Sequence, residues 1–219
     1  MDEYLSEKEQ IDQIKHWWHE NGWYLVGGAV LAGLGYFGFN QYQAWQDRVA
    51  EEAAAIYQEL KLVLADDDRA DADQLLTQLA SDYAGSPYLD QARLLIAEGS
   101  LIRDTDRAIA ELEAVVENSR DEGLMQIARL RLARVLAYDE QYDRALATLS
   151  VSDTGEFAAR FSEVRGDIHA ANGNVEAAVQ AYTDALLGGA SNGTVNLDVV
   201  QLKLNDLVQA AEPESEDEG

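Results

Sequence analysis

Read for polarity alone, the chain falls into unequal stretches. Residues 1–20 are polar, with a sparse apolar stripe of Leu5, Ile11, Ile14 and Trp18 that predicts a short amphipathic helix. Residues 21–46 hold no charged side chain, and their most apolar part runs over 23–39. A helix over 21–46 spans roughly 39 Å at about 1.5 Å rise per residue, enough to cross a hydrocarbon core about 30 Å thick. All four Trp flank this stretch: Trp17, Trp18 and Trp23 at one end, joined by Tyr24, and Trp45 at the other, joined by Tyr36 and Tyr42. Amphipathic rings settle at headgroup level, so paired aromatic clusters at this spacing mark two membrane interfaces. A cleaved signal peptide opens on a basic segment, whereas here six acids precede the span against Lys8 and Lys15. A core helix has no need of Trp at both ends. The stretch is read as one transmembrane helix.

From residue 47 onward apolar positions recur at i, i+3/i+4 and i+7, as in Leu94, Leu95, Leu101, Ile102 and again in Ile127, Leu130, Leu132, Val135, Leu136. Polar turn signals punctuate the run, from Asp66-Asp67-Asp68 and Gly85-Ser86-Pro87 to Asn172-Gly173-Asn174 and Gly188-Gly189. They predict helical hairpins over about 48–65 with 70–84, 88–103 with 105–119, 123–139 with 142–151, and 156–172 with 175–188, then a last helix over about 195–210. The tail, 212–219, is acidic and poor in apolar residues, so disorder is expected there. The fold class expected is all-α: a single transmembrane helix followed by a helical-hairpin solenoid.

Composition sharpens this picture in two ways. There are 16 Lys+Arg against 41 Asp+Glu, a net charge of −25. Residues 1–20 carry −4, 21–46 none, 47–211 −16 and 212–219 −5. Nucleic acid as a partner is excluded, because phosphate binding needs clustered Lys and Arg. The chain has no Cys, which removes disulfides, thiolate metal sites and thiol nucleophiles.

Candidate chemistry is thin. Gly33-Leu34-Gly35-Tyr36-Phe37-Gly38 spells the dinucleotide fingerprint letter for letter, but it lies inside the apolar span with no strand before it. The better reading is packing: Gly28 with Ala32 and Ala29 with Gly33 are small-xxx-small pairs that admit a second membrane helix closely. His169 reads as a core or half-buried imidazole. The acidic run at 66–68 lacks the Gly and Glu that an EF-hand loop requires and reads as a helix cap. No catalytic residue, metal site or cofactor is expected. Positive-inside counting is nearly a tie, with a small excess of basic groups near the first end of the span that favours a cytoplasmic N-terminus.

Self-similarity gives the solenoid its register. Asp106-Arg107-Ala108-Ile109-Ala110-Glu111-Leu112 returns as Asp143-Arg144-Ala145-Leu146-Ala147-Thr148-Leu149 and more loosely as Glu176-Ala177-Ala178-Val179-Gln180-Ala181-Tyr182. These spacings bracket the 34-residue tetratricopeptide period of about one helical hairpin per repeat. The copy from Gly166 to Ala185 resembles the tetratricopeptide consensus: Gly166 and Ala178 take the small positions where paired helices cross, Tyr182 the large packing position and Ala185 the next small one. In the usual repeat geometry the concave face is lined by Ile127, Leu130, Arg134 and Tyr138 in one repeat and by Arg160, Glu163 and Asp167 in the next. Arg134, Tyr138, Arg160 and Asp167 are the expected partner contacts.

A span joined to degenerate repeats resembles the ancillary SecYEG translocon subunit family of Gram-negative bacteria (YfgM-like). The resemblance rests on the entry segment Gln10-Ile11-Asp12-Gln13-Ile14-Lys15-His16-Trp17-Trp18-His19-Glu20-Asn21-Gly22, the Gly-rich span after it, Leu130-Arg131-Leu132-Ala133-Arg134-Val135 and Arg165-Gly166-Asp167. It covers residues 5–210; the acidic tail and the high charge depart from it. It implies a single-pass inner-membrane protein with residues 1–20 cytoplasmic, 21–46 spanning and 47–211 periplasmic. It also implies association with the SecYEG translocon and with periplasmic chaperones of the prolyl-isomerase-like class, with client polypeptides as further partners, and no catalysis. Two other readings stay open: an envelope assembly scaffold unrelated to secretion, and a stress-signalling regulator acting through residues 1–20.

Overall fold

The computed structural model describes residues 7–211, and the acidic tail expected to be disordered lies outside them. The described residues form α1 (Glu7–Ala65), α2 (Arg69–Asp82), α3 (Pro87–Ser100), α4 (Thr105–Asn118), α5 (Glu122–Tyr138), α6 (Tyr142–Thr148), a 3-10 turn (Gly155–Phe157), α7 (Ala158–Ala171), α8 (Val175–Asn192) and α9 (Leu197–Ala211). The chain divides into two compact units, Met1–Glu52 and Ala53–Gly219.

The first unit is helical from Glu7 onward, where the sequence predicts a short helix and then a separate span. The merger has a local cause. The Asn21 side-chain amide donates to the Trp17 carbonyl at 3.1 Å, and Gly22 tucks under the Trp18 indole, so two residues common in turns are absorbed into the helix. Residues 40–65 hold neither Gly nor Pro, and nothing there ends the helix after the span. The stretch is long and apolar enough to cross a membrane, and only 6% of its most apolar window is buried within the protein. Trp23, Tyr36 and Phe37 are each at least 70% exposed. A core helix buries such side chains, so this exposure needs a non-aqueous surround.

The second unit is a succession of helical hairpins. Each helix packs on its sequence neighbour from α2 to α9, and α5 also packs on α3 and α7. That second set of contacts places the first helices of successive hairpins side by side along one face, as stacking of repeats requires. Each hairpin buries its apolar stripe only against its neighbours, in three successive clusters. Leu60, Leu79 and Ile96 belong to the first, Leu112, Leu136, Leu149 and Phe161 to the second, Tyr182, Val195 and Val200 to the third. Full burial of a side chain of this size contributes about 1.5–3 kcal/mol. Ala108, Ala133, Ala145, Ala178 and Ala185 are fully buried where helices cross. At Gly166 the approach is closer still: a Cβ there would lie 2.5 Å from the Tyr182 ring.

The predicted turns are helix caps. Asp68, Ser86, Asp104, Asp121 and Asn174 accept from backbone N–H groups in the first turns of α2, α3, α4, α5 and α8. Each such cap stabilises its helix by about 1 kcal/mol. Gly188 and Gly189 are the exception to the turn reading, since α8 runs through both and ends at Gly193 in the left-handed region (φ 65°). A Cβ at Gly188 would press on Ala159, and one at Gly189 would overlap Val195. These glycines are there to let α7 and the approach to α9 come close, which a sequence cannot distinguish from a turn.

Ion pairs stitch the same helix of successive hairpins together. Arg107 on α4 pairs with Asp73 on α2, Arg144 on α6 with Glu113 on α4 at 2.8 Å, and Arg131 on α5 with Glu98 on α3 at 3.8 Å. Lys203 on α9 reaches Glu163 and Asp167 on α7 at 3.0 and 2.8 Å. Four of the scarce basic side chains are thereby used to set repeat on repeat.

Candidate functional site

The first helices of the hairpins carry the expected contact residues, and their packing decides which of them meet. A cleft of about 510 Å³ opens between α5, the 3-10 turn, α7 and the segment leading into α9. Ile127, Leu130 and Phe157 form its apolar lining, and Arg131, Arg134 and Arg160 its cationic one, with Glu156 as the acidic member. On the other side of α5 a second cleft of about 340 Å³ lies against α3 and is lined by Leu94, Leu101, Glu98, Arg131 and Arg134 among others. Arg131 and Arg134 border both, so the two clefts meet over α5. Three arginines face Glu98 and Glu156 there, in a chain with far more acids than bases.

The four expected contact residues are placed differently from one another. Arg134 is exposed, and its guanidinium has no ion-pair or hydrogen-bond partner among the described residues. Arg160 lies across the same cleft, where its Nε and Nη2 donate to the Thr194 carbonyl at 3.2 and 2.9 Å. One face of the guanidinium is thereby fixed, and the side chain is held at the cleft edge. Tyr138, 81% exposed at the end of α5, lies outside both clefts. Asp167 is engaged internally: it accepts from the Tyr182 hydroxyl at 2.9 Å and from Lys203 at 2.8 Å. Glu163, expected on the same face, also holds Lys203.

This second cluster has its own electrostatics. Burial alone would push the Lys203 pKa down, but hydrogen bonds to Asp167 and Glu163 outweigh it and the net shift is upward. Burial, and then the Asp167 carboxylate, push the Tyr182 phenol well above its ordinary range. Asp167 is thus the anchor of α9 on α7. Sequence reasoning missed Arg131, which borders both clefts; its i, i+3 spacing from Arg134 on one predicted helix was the available signal.

A further cavity of about 350 Å³ lies between the end of α1, α2, α3 and α4. Its charges are paired with one another, Arg103 with Asp67 at 2.8 Å and Arg107 with Asp73. Hydrogen bonds from these arginines hold both carboxyls below the usual aspartate range. In the first unit Gly28, Ala29, Ala32 and Gly33 are all exposed, and the space over Gly28 and Gly33 is open. His169 is half-buried.

Comparison with known proteins gives a consistent picture. A family model described as a tetratricopeptide repeat-like domain matches residues 15–209. The chain is 30% identical over 208 residues to a Neisseria gonorrhoeae protein named ancillary SecYEG translocon subunit, covering 93% of this chain and 98% of that one. It is 30% identical to the Haemophilus influenzae protein of the same name, with the same coverage of both chains. It is 26% identical to the Escherichia coli one, over 94% of this chain and 99% of that one. The similarity takes in the apolar part of α1 as well as the repeats. With the repeat register, the exposed span and near end-to-end similarity in agreement, the chain belongs to the ancillary SecYEG translocon subunit family.

Proposed function

We propose that this chain is a single-span subunit of the bacterial inner membrane that attaches a protein-binding repeat domain to the Sec translocon. The N-terminus is cytoplasmic, and α2 to α9 lie in the periplasm. The observation that carries this reading is the near full-length similarity to proteins named for the translocon, span included. The apolar surface of α1 supports the anchor. The clefts over α5 support a binding role, since concave, partly apolar surfaces with a few fixed polar groups are where ligands settle. In this role the span acts by proximity: it holds the cleft near emerging polypeptide, which raises effective concentration without any new contact. The partner received there is a periplasmic chaperone of the prolyl-isomerase-like class, with client polypeptides passing between the two. The role is binding, not catalysis. Arg134 and Arg160 are the contacts within the cleft, Tyr138 contributes from the exposed end of α5 outside it, and Asp167 acts by positioning α9.

The small-residue face at Gly28, Ala29, Ala32 and Gly33 is the contact with a channel helix. A photoreactive amino acid placed in turn at Ala29 and Ala32 tests this in intact membranes. Recovery of a crosslink to a channel subunit is expected at these positions and not at Leu31 or Leu34, which lie on the opposite side of the helix. Crosslinks only to envelope components unrelated to secretion would replace the translocon with an assembly scaffold.

A further inference from the structure

The charge on the inner face of the repeats does not match the charge of the molecule, and that mismatch names a ligand. We infer that the paired clefts over α5 take an extended, acidic peptide segment with interspersed apolar residues, supplied by a second protein. This deepens the binding role proposed above and rests on it.

Three observations converge. First, the two clefts share Arg131 and Arg134, so a chain lying across α5 touches both in one pass. An extended peptide advances about 3.3 Å per residue, and helices in contact lie about 8–10 Å apart. About five to six residues therefore cross from the α3 side to the α7 side. Second, the floor is apolar through Leu94, Leu130 and Phe157, whereas the rim sets Arg131, Arg134 and Arg160 against Glu98 and Glu156, a local excess of positive charge. Alternate side chains of an extended segment point to opposite faces, so apolar residues can enter the floor while carboxylates reach the rim. Third, the rim cations are not all consumed within the protein. Arg134 has no ion-pair partner among the described residues, Arg131 reaches Glu98 only at 3.8 Å, and Arg160 is bonded to a neutral carbonyl. Planar guanidinium groups with unused donors are suited to bidentate carboxylate recognition. The surrounding domain carries −16 over residues 47–211, so a local excess of positive charge stands out against it as a place for an acidic ligand. The like-charged surroundings thus provide register, since a shifted peptide meets repulsion.

The occupant is a segment of another protein and not the chain's own acidic end, 212–219. That end carries −5 but has no aromatic or aliphatic residue to fill the apolar floor.

The test uses the full chain in lipid nanodiscs and a fluorescein-labelled ten-residue peptide with four glutamates, three leucines and no helix-favouring alanine. A lysine-for-glutamate counterpart is the control. The acidic peptide should bind at least tenfold tighter than the basic one, with affinity falling as salt rises. Arg134→Glu should weaken binding at least tenfold. Because Arg134 is exposed and unpaired, its thermal midpoint should stay within a degree or two of the parent, and Arg134→Lys should recover part of the loss. Equal binding of both peptides, or undiminished binding by Arg134→Glu, overturns the inference. Binding that appears only after residues 212–219 are removed also overturns it, by making the chain's own tail the occupant. Channel crosslinking from Ala29 and Ala32 reports on the translocon reading separately, so a chain that crosslinks normally yet ignores the acidic peptide sinks this inference alone.

Discussion

Single positions in the solenoid are under tight steric control, and Gly166 is the sharpest case. The repeat pattern assigns it a small residue and Tyr182 a large one, and the structure puts the Tyr182 ring where a Cβ at Gly166 would lie 2.5 Å away. Gly166→Ala forces the ring or α8 to move. Overpacking of this kind costs about 1–3 kcal/mol, which lowers the thermal midpoint by roughly 3–10 °C for a domain of this size. Circular dichroism melts check it. A second change, Tyr182→Leu, should cost less in the Gly166→Ala background than alone, because both act on one contact. This pair was legible in the sequence because small and large residues recur at fixed spacing. The fate of Asp167 was not. Its place on the inner face follows from the repeat, but its partner Lys203 lies 36 residues on, and pairing at that range depends on how α9 seats on α7.

Elements, in turn, were predicted well where their ends carry chemistry and less well where a helix runs on. Asp68, Asp104, Asp121 and Asn174 announce helix starts because a short polar side chain can satisfy an otherwise unpaired N–H, and all four do so. The continuity of α1 and the passage of α8 through Gly188 and Gly189 were hidden, since glycine marks both turns and close approaches. The seating of α9 leads to a prediction about pH. Lys203 and Tyr182 both have raised folded-state pKa values. Such groups contribute stability that is fully present below their unfolded values, about 10 for both. That stability is lost as pH rises through the folded values. The thermal midpoint should therefore fall more between pH 8 and pH 11 in the parent than in Lys203→Met, which starts lower at pH 8 and changes less. Parallel curves for the two proteins would remove Lys203 from the anchoring of α9.

At the scale of the whole molecule, charge does three separate jobs. In the arrangement proposed, its absence over 21–46 makes the anchor, its excess over 47–211 keeps the repeats soluble and away from anionic headgroups, and its local reversal over α5 marks the face proposed to bind. The first two could be read directly from sequence. The third was legible only in part: the repeat register puts Arg134 and Arg160 on one inner face, but the place of Arg131 at both clefts and the capture of Glu163 and Asp167 by Lys203 depend on how the helices pack. Everything proposed for the cleft requires it to lie on the far side of the membrane from residues 1–20. Topology reporters fused at each end of the chain measure this most directly: an alkaline phosphatase, active only outside the cytoplasm, and a fluorescent protein that matures only inside it. The account predicts an active phosphatase at the C-terminus and fluorescence at the N-terminus. Fluorescence from the C-terminal fusion without phosphatase activity would contradict it.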